Sequence, residues 1–256
     1  MLEYNNATQL PDEVYILIIS CLSIEDVPCI ATVSKLFASN ISRCVTSLTQ
    51  IYTSRLNGAI LQRLHHVVSL DLTNNTLITD SNISHMSSLT SLNLANNRLI
   101  TDSGINHLSS LKYLNLRDNE KITDAGIGCM LSLTELNLDH NYNISDDGIS
   151  QMLLVSLNIS YNKRITDASV GRMSSLTALD LHGYCRITDA CISQLSSLKS
   201  LDISYNPRIT NAGISTLTSL TSLDLTYNER ITDAGIANMP SMSSLIIHDC
   251  SNIRSR

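Results

Sequence analysis

Proton transfer needs titratable side chains held beside a reactive group, and the 256-residue chain offers three places to look for them. His140 follows Asp139, an adjacent acid and base of the kind that moves protons, but no nucleophile is fixed nearby. Cys185 and Cys191 flank Arg186, and one cation is not the charge cluster that stabilises a thiolate. His85 and His107 stand 22 residues apart and would hold a metal only weakly, so two solvated imidazoles are the simpler reading. None of the three sets completes a catalytic or metal centre. The expectation is a protein that is no enzyme and carries no metal and no cofactor.

Charge and hydropathy exclude further classes. Seventeen Lys and Arg against 23 Asp and Glu leave a net charge of -6, and no contiguous basic run supplies the footprint of a nucleic-acid binder. The longest apolar run, Val14 to Leu22, falls short of the roughly 20 residues that cross a bilayer, so no membrane contact is expected. Met1 to Asn6 has no basic start and carries Glu3, which argues against a secretory leader. Seven cysteines, an odd count without a Cys-x-x-Cys pair, suggest reduced thiols rather than a disulfide framework or a zinc ribbon. Asn-x-Ser triplets at Asn82 and Asn143 are what chance produces in a chain this rich in Asn and Ser. The expected setting is the cell interior, cytoplasm or nucleus.

What positions the side chains is a repeat. The pattern Leu-x-x-Leu-x-Leu-x-x-Asn-x-x-Ile-Thr-Asp-x-Gly-Ile-x-x-Leu recurs with openings at Val67, Leu89, Leu111, Leu133, Leu154, Leu176, Leu198, Leu220 and Met242, spaced by 22 residues except for one step of 21 before Leu154. Each Leu-x-Leu puts two side chains on one face of a short strand, and successive strands stack as a parallel sheet. The ninth position reads Asn75, Asn97, Asn119, Asn141, Asn162, Tyr184, Asn206, Asn228 and Cys250, a column where a buried amide can bind the turning backbone. Thr-Asp follows, as at Thr101 and Asp102, where Thr caps a short helical turn and Asp sits at its positive end. Gly104, Gly126, Gly148, Gly213 and Gly235 let outer turns approach closely.

These residues resemble the leucine-rich repeat family over 67–253, and the Ile-Thr-Asp-x-Gly-Ile tail resembles its cysteine-containing subtype. The fold class that follows is α/β: a solenoid with a parallel β-sheet on its concave face and short helices outside, preceded by a helical module. Residues 45–66 read as a degenerate capping copy, because Leu48 lies 22 before Leu70. Nine copies then run over 67–256, the last incomplete, and Leu245-Ile246-Ile247 would leave an open sheet edge. A partner, an end-to-end homodimer or local fraying is expected there.

Residues 1–8 read as a flexible tail. Residues 9–44 do not follow the repeat and carry apolar residues at helical spacing, with Pro11 suited to a first helical position. Leu10, Pro11, Glu13, Val14, Ile18, Leu22, Asp26, Val33, Ser34 and Lys35 fall in the order of an F-box motif, and Phe37 stands where that family usually has Trp. The resemblance implies that Leu10, Pro11, Glu13, Val14, Ile18, Leu22, Val33 and Phe37 bind a Skp-type adaptor protein. It further implies the substrate-recognition subunit of a Skp, cullin and F-box ubiquitin ligase. The alternative is a stand-alone binding or scaffold protein whose first helices only cap the solenoid.

On the concave face the central column is Asp71, Asn93, Asn115, Asn137, Asn158, Asp180, Asp202, Asp224 and Ile246, a polar and partly acidic stripe. Tyr113, Arg117, Glu135, Asp139 and His140 flank it in the middle copies, and Tyr161, His182, Tyr205 and Tyr227 further along. Tyr and Arg anchor interfaces because they combine large area with a polar end, so these nine are the candidate target contacts. The same stripe also reads as the solvated side of the sheet, with the tyrosines covering the Asn turn. An acidic groove favours a protein target that presents Lys or Arg.

Overall fold

The computed structural model describes residues 47–48, 58–62 and 67–253. In each copy, the Leu between two small or polar residues forms the centre of a short strand. The strands are β1 (Ser47–Leu48), β2 (Ser69–Asp71), β3 (Ser91–Asn93), β4 (Tyr113–Asn115) and β5 (Glu135–Asn137). They continue as β6 (Ser156–Asn158), β7 (Ala178–Asp180), β8 (Ser200–Asp202), β9 (Ser222–Asp224) and β10 (Ser244–Ile246). All ten form one parallel sheet in chain order. Register follows the repeat, so Leu92 lies opposite Leu114. The 21-residue step leaves it intact: Leu136 still faces Leu157. The missing residue is therefore absorbed outside the strands.

The leucines and isoleucines form one continuous core from Leu61 to Ile253. Its outer wall consists of four-residue helical turns such as Asp102–Ile105 and Asp124–Ile127. The Thr101, Thr123, Thr166, Thr188 and Thr210 hydroxyls accept from the backbone N–H two residues on, as expected of N-caps. The Asp of the pair does more than face a helix end. Asp102 accepts from the backbone N–H of Thr123 at 2.8 Å and from its hydroxyl at 2.6 Å, one copy further on. Asp80 to Thr101 and Asp189 to Thr210 repeat the link. A Cβ at Gly126 would sit 2.3 Å from Asp102 Oδ1, so that glycine is what lets the carboxylate through.

A second ladder runs through the interior. Asn119 Nδ2 donates to the carbonyls of Leu94 and Asn97, both at 3.1 Å, and its Oδ1 accepts from the N–H groups of Lys121 and Ile122 at 2.9 Å. All four hydrogen-bonding capacities of a fully buried amide are thus used. At the break in the column, Tyr184 turns out to solvent and its neighbour Cys185 is buried in its place, with Sγ 2.9 Å from Asn206 Nδ2. Cys250 closes the ladder toward the carbonyl of Leu225 at 2.8 Å. At the far end, β10 is exposed along its length, and Leu245 is 38% exposed where the matching leucines of β2 to β9 are at most 3% exposed.

Candidate protein-interaction surface

The concave column is held by its own turns. Asp71, Asn93, Asn115, Asn137, Asn158, Asp180, Asp202 and Asp224 each accept from the backbone N–H two residues later at 2.8–3.0 Å. These side chains steer the chain off each strand. Burial pushes the Asp202 carboxyl above its usual range, hydrogen bonds from Ser204 oppose that, and the flanking Asp180 and Asp224 add to it.

Three of the candidate residues form one polar knot with Asp118. Arg117 Nε lies 3.2 Å from Asp139 Oδ2 and 3.3 Å from Asp118 Oδ2, and His140 Nδ1 lies 2.6 Å from Asp139 Oδ1. Asp118 is a member that sequence reasoning missed. Tyr113 and Glu135 are cross-strand partners on β4 and β5 and touch a different part of the face. Burial raises the Tyr113 hydroxyl above its ordinary value; a hydrogen bond with Asn115 opposes this, while Glu135 and Asp71 add to it. Among the described residues no group of three His, Cys, Asp or Glu is placed to hold a metal.

The tyrosines beyond Tyr113 share one position of the repeat. They stand at the eighth position, just past the strand, where Asn74, Asn96, Asp118, His140, Tyr161, Tyr205, Tyr227 and Asp249 all have φ between 51 and 56°. That left-handed conformation costs an L-residue about 1–2 kcal/mol and suits Asn or Gly far better than Tyr. In all but Asp249 it is held because the N–H donates to the next copy, as Tyr161 does to the His182 carbonyl at 3.1 Å. The rings then stack: His140 on Tyr161 at 4.3 Å, Tyr161 against His182 at 5.2 Å, His182 against Tyr205 at 5.3 Å and Tyr205 on Tyr227 at 4.5 Å. Gly183 makes the run continuous, because a Cβ there would lie 2.5 Å from the Tyr161 ring, and His182 fills the gap from the position before. Tyr161 OH and His182 Nε2 are 3.1 Å apart. The result is an aromatic rim over five consecutive copies. Its sequence signal was the residue preceding each ladder Asn.

Comparison with known families accounts for both parts of the chain. The Leucine Rich repeat family matches residues 63–81, 85–106, 107–131, 129–153, 150–171, 194–218 and 216–239, together more than half of the sequence. The F-box domain family matches residues 8–46. This is an F-box and leucine-rich repeat protein. The copy containing Tyr184 and Cys185 falls in the unmatched stretch, yet it folds as the others do, with β7 and the helical turn Asp189–Ile192.

Solved structures share the solenoid at low sequence identity. A chain of the yeast Rad7 and Elc1 complex is 16% identical, covering 96% of this chain and 90% of that one with a TM-score of 0.55. The functional domain of InlJ from Listeria monocytogenes is 23% identical, covering 85% of this chain and 52% of that one with a TM-score of 0.53. Internalin C2 of the same organism is 20% identical, covering 88% and 92% with a TM-score of 0.51. A search of the curated proteins finds no match to the chain. F-box and leucine-rich repeat domains are protein-interaction modules, non-catalytic in type, and among the described residues no helix is long and apolar enough to cross a membrane. The adaptor-facing residues Leu10, Pro11, Glu13, Val14, Ile18, Leu22, Val33 and Phe37 lie outside the described residues.

Proposed function

We propose that this F-box and leucine-rich repeat protein is a non-catalytic substrate-recognition subunit of a Skp, cullin and F-box ubiquitin ligase inside the cell. The observation that carries this reading is the F-box match at residues 8–46 running directly into the repeats. Residues 9–44 dock on a Skp-type adaptor through Leu10, Pro11, Glu13, Val14, Ile18, Leu22, Val33 and Phe37. Residues 45–66 act as a capping copy, and the copies from 67 onward present the target. A chain of similar fold belongs to the yeast Rad7 and Elc1 complex, which supports a solenoid that works beside a second protein. The target lies against the concave face, contacting Tyr113, Arg117, Glu135, Asp139, His140, Tyr161, His182, Tyr205 and Tyr227. Acid on the central column, at Asp180, Asp202 and Asp224, favours Lys or Arg on the target at that face.

The reading is tested by pull-down with a Skp-type adaptor, comparing the wild-type chain with Leu10→Ala/Pro11→Ala. Binding by the wild type and loss in the variant are expected. Equal absence of binding in both would leave the stand-alone scaffold. Deleting residues 1–44 then completes the distinction, because a scaffold whose first helices are only a cap loses folding there without ever having bound the adaptor.

A further inference from the structure

Three residues beyond the aromatic rim, Arg164, Arg186, Arg208 and Arg230 occupy the same position in four consecutive copies, and all four are exposed. No basic run marks them in the sequence, because they lie 22 residues apart. The fold turns that spacing into a column. Its alignment comes from the buried ladder: Asn162 Oδ1 accepts from the backbone N–H of Arg164 at 2.8 Å, Asn206 from that of Arg208 at 3.1 Å and Asn228 from that of Arg230 at 2.9 Å. The side chains therefore rise from fixed backbone, one strand spacing of about 4.8 Å apart at their base.

Three acids of the outer turns in this region are already engaged. The carboxylates of Asp146, Asp167 and Asp189 accept from both the backbone and the hydroxyl of Thr166, Thr188 and Thr210. The ion pairs among Arg117, Asp118, Asp139 and His140 lie in other copies than this column. Arg164 Nη1 donates to the Asn143 carbonyl at 3.2 Å, and exposed Glu229 precedes Arg230. A column of like charges in register opposes its own stacking, and a bound anion relieves it. Beside it stand the half-exposed rings of Tyr205 and Tyr227. Tyr and Arg are, with Trp, the residues enriched at the energetic centres of protein interfaces.

We propose that this arginine column, with the Tyr161 to Tyr227 rim beside it, is a docking surface for an extended, carboxylate-rich protein segment. Guanidinium forks match carboxylates bidentately, which favours Asp and Glu side chains as the recognised groups. Four copies span a length that about five extended residues cover. The Asp180, Asp202 and Asp224 column on the concave side repels such a segment and confines it to the arginine side of the rim. The surface shares the tyrosine rim with the proposed target-binding face but adds the arginine column, and it does not rest on the ligase reading.

The experiment is fluorescence anisotropy of the full chain with a fluorescein-labelled peptide of alternating Glu and Ser, about twelve residues long so that it overhangs the column. A Lys and Ser twin and an oligo-uridine serve as the other probes. The Glu and Ser peptide is expected to bind, to weaken as salt rises, and to lose about tenfold or more in affinity to Arg186→Glu/Arg208→Glu. Arg186→Gln/Arg208→Gln, which adds no new charge, should show a smaller loss of the same sign. Melting curves check that both variants fold, and the salt dependence of the wild type stands without them. The proposal is overturned by absence of binding, by binding indifferent to salt or to both double variants, or by tighter binding of the Lys and Ser peptide. Tighter binding of oligo-uridine through the same arginines would also overturn it and assign the column to nucleic acid.

Discussion

A buried amide that donates twice and accepts twice has no replacement of equal size, which makes the ladder asparagines the most exacting single residues in the chain. Asn119→Ala strands two carbonyls and two N–H groups at a fully buried site, and a loss of about 2–4 kcal/mol in urea unfolding is expected. Asn119→Asp keeps the acceptor but faces a carboxylate toward the Leu94 and Asn97 carbonyls, so it should cost at least as much at neutral pH. The cysteines call for a different measurement. Burial pushes the Cys191 thiol up to about 12, with Asp167 and Cys185 adding to it, and burial likewise raises Cys185. Iodoacetamide at pH 8 should therefore spare both in the folded chain and label exposed Cys129, as peptide mass mapping would read. Labelling of Cys191 at the rate of Cys129 would contradict that burial. The Asn column was legible in the sequence because its spacing and its chemistry agree. The positive φ of Tyr161, Tyr205 and Tyr227 was not, since tyrosine is a poor left-handed residue and only the backbone links to the next copy hold it there.

At the level of the helical turn, stability passes from copy to copy through a carboxylate and a glycine. Gly126→Ala should gain up to about 1 kcal/mol from helix propensity if the turn were isolated. Its Cβ would instead meet Asp102 Oδ1 and displace the bonds to Thr123, so a net loss of about 1–3 kcal/mol is expected by thermal or urea unfolding. A gain in stability would show that the link carries nothing. Asp146 tests the same link through pH. Burial works against its charge, but hydrogen bonds from Ser169 and Thr166 outweigh it and hold the carboxyl below its usual value. A folded pKa below the unfolded one adds stability above the unfolded value of about 3.9 and gives it up as pH falls through the folded one. Asp146→Asn should thus cost about 1–2 kcal/mol at pH 7, and the gap to wild type should close as pH drops below about 4. Thr-Asp was readable as a cap and a helix-end charge because both effects are local. Its second role was hidden, because the partner of each Asp lies 20 or 21 residues away and only the stacking of coils brings the two together.

Over the whole molecule, a solenoid has no centre to protect, and each copy is only as stable as its own fold and its two neighbours make it. The 22-residue period was sufficient to place β2 to β10 in register, even across the shortened step before Leu154. The charge columns were not, because a pattern that repeats along the chain becomes a neighbourhood only after stacking; Arg164, Arg186, Arg208 and Arg230 read as scattered charges until then. The same one-dimensional logic sets where the molecule opens first. β5 is paired on both sides and its central Leu136 is 3% exposed, whereas β10 is paired only to β9 among the described residues and leaves Leu245 and Ile246 exposed. Amide exchange at Leu245 and Ile246 should therefore be faster than at Leu136 and Asn137 by the free energy of opening one terminal copy rather than an internal one. Leu245→Lys then separates fraying from end-to-end pairing. A terminal copy that frays as a monomer keeps its exchange pattern and its sedimentation behaviour with lysine there. A second copy seated on β10 instead gives the wild type slow, concentration-dependent exchange at that strand, and the substitution abolishes it.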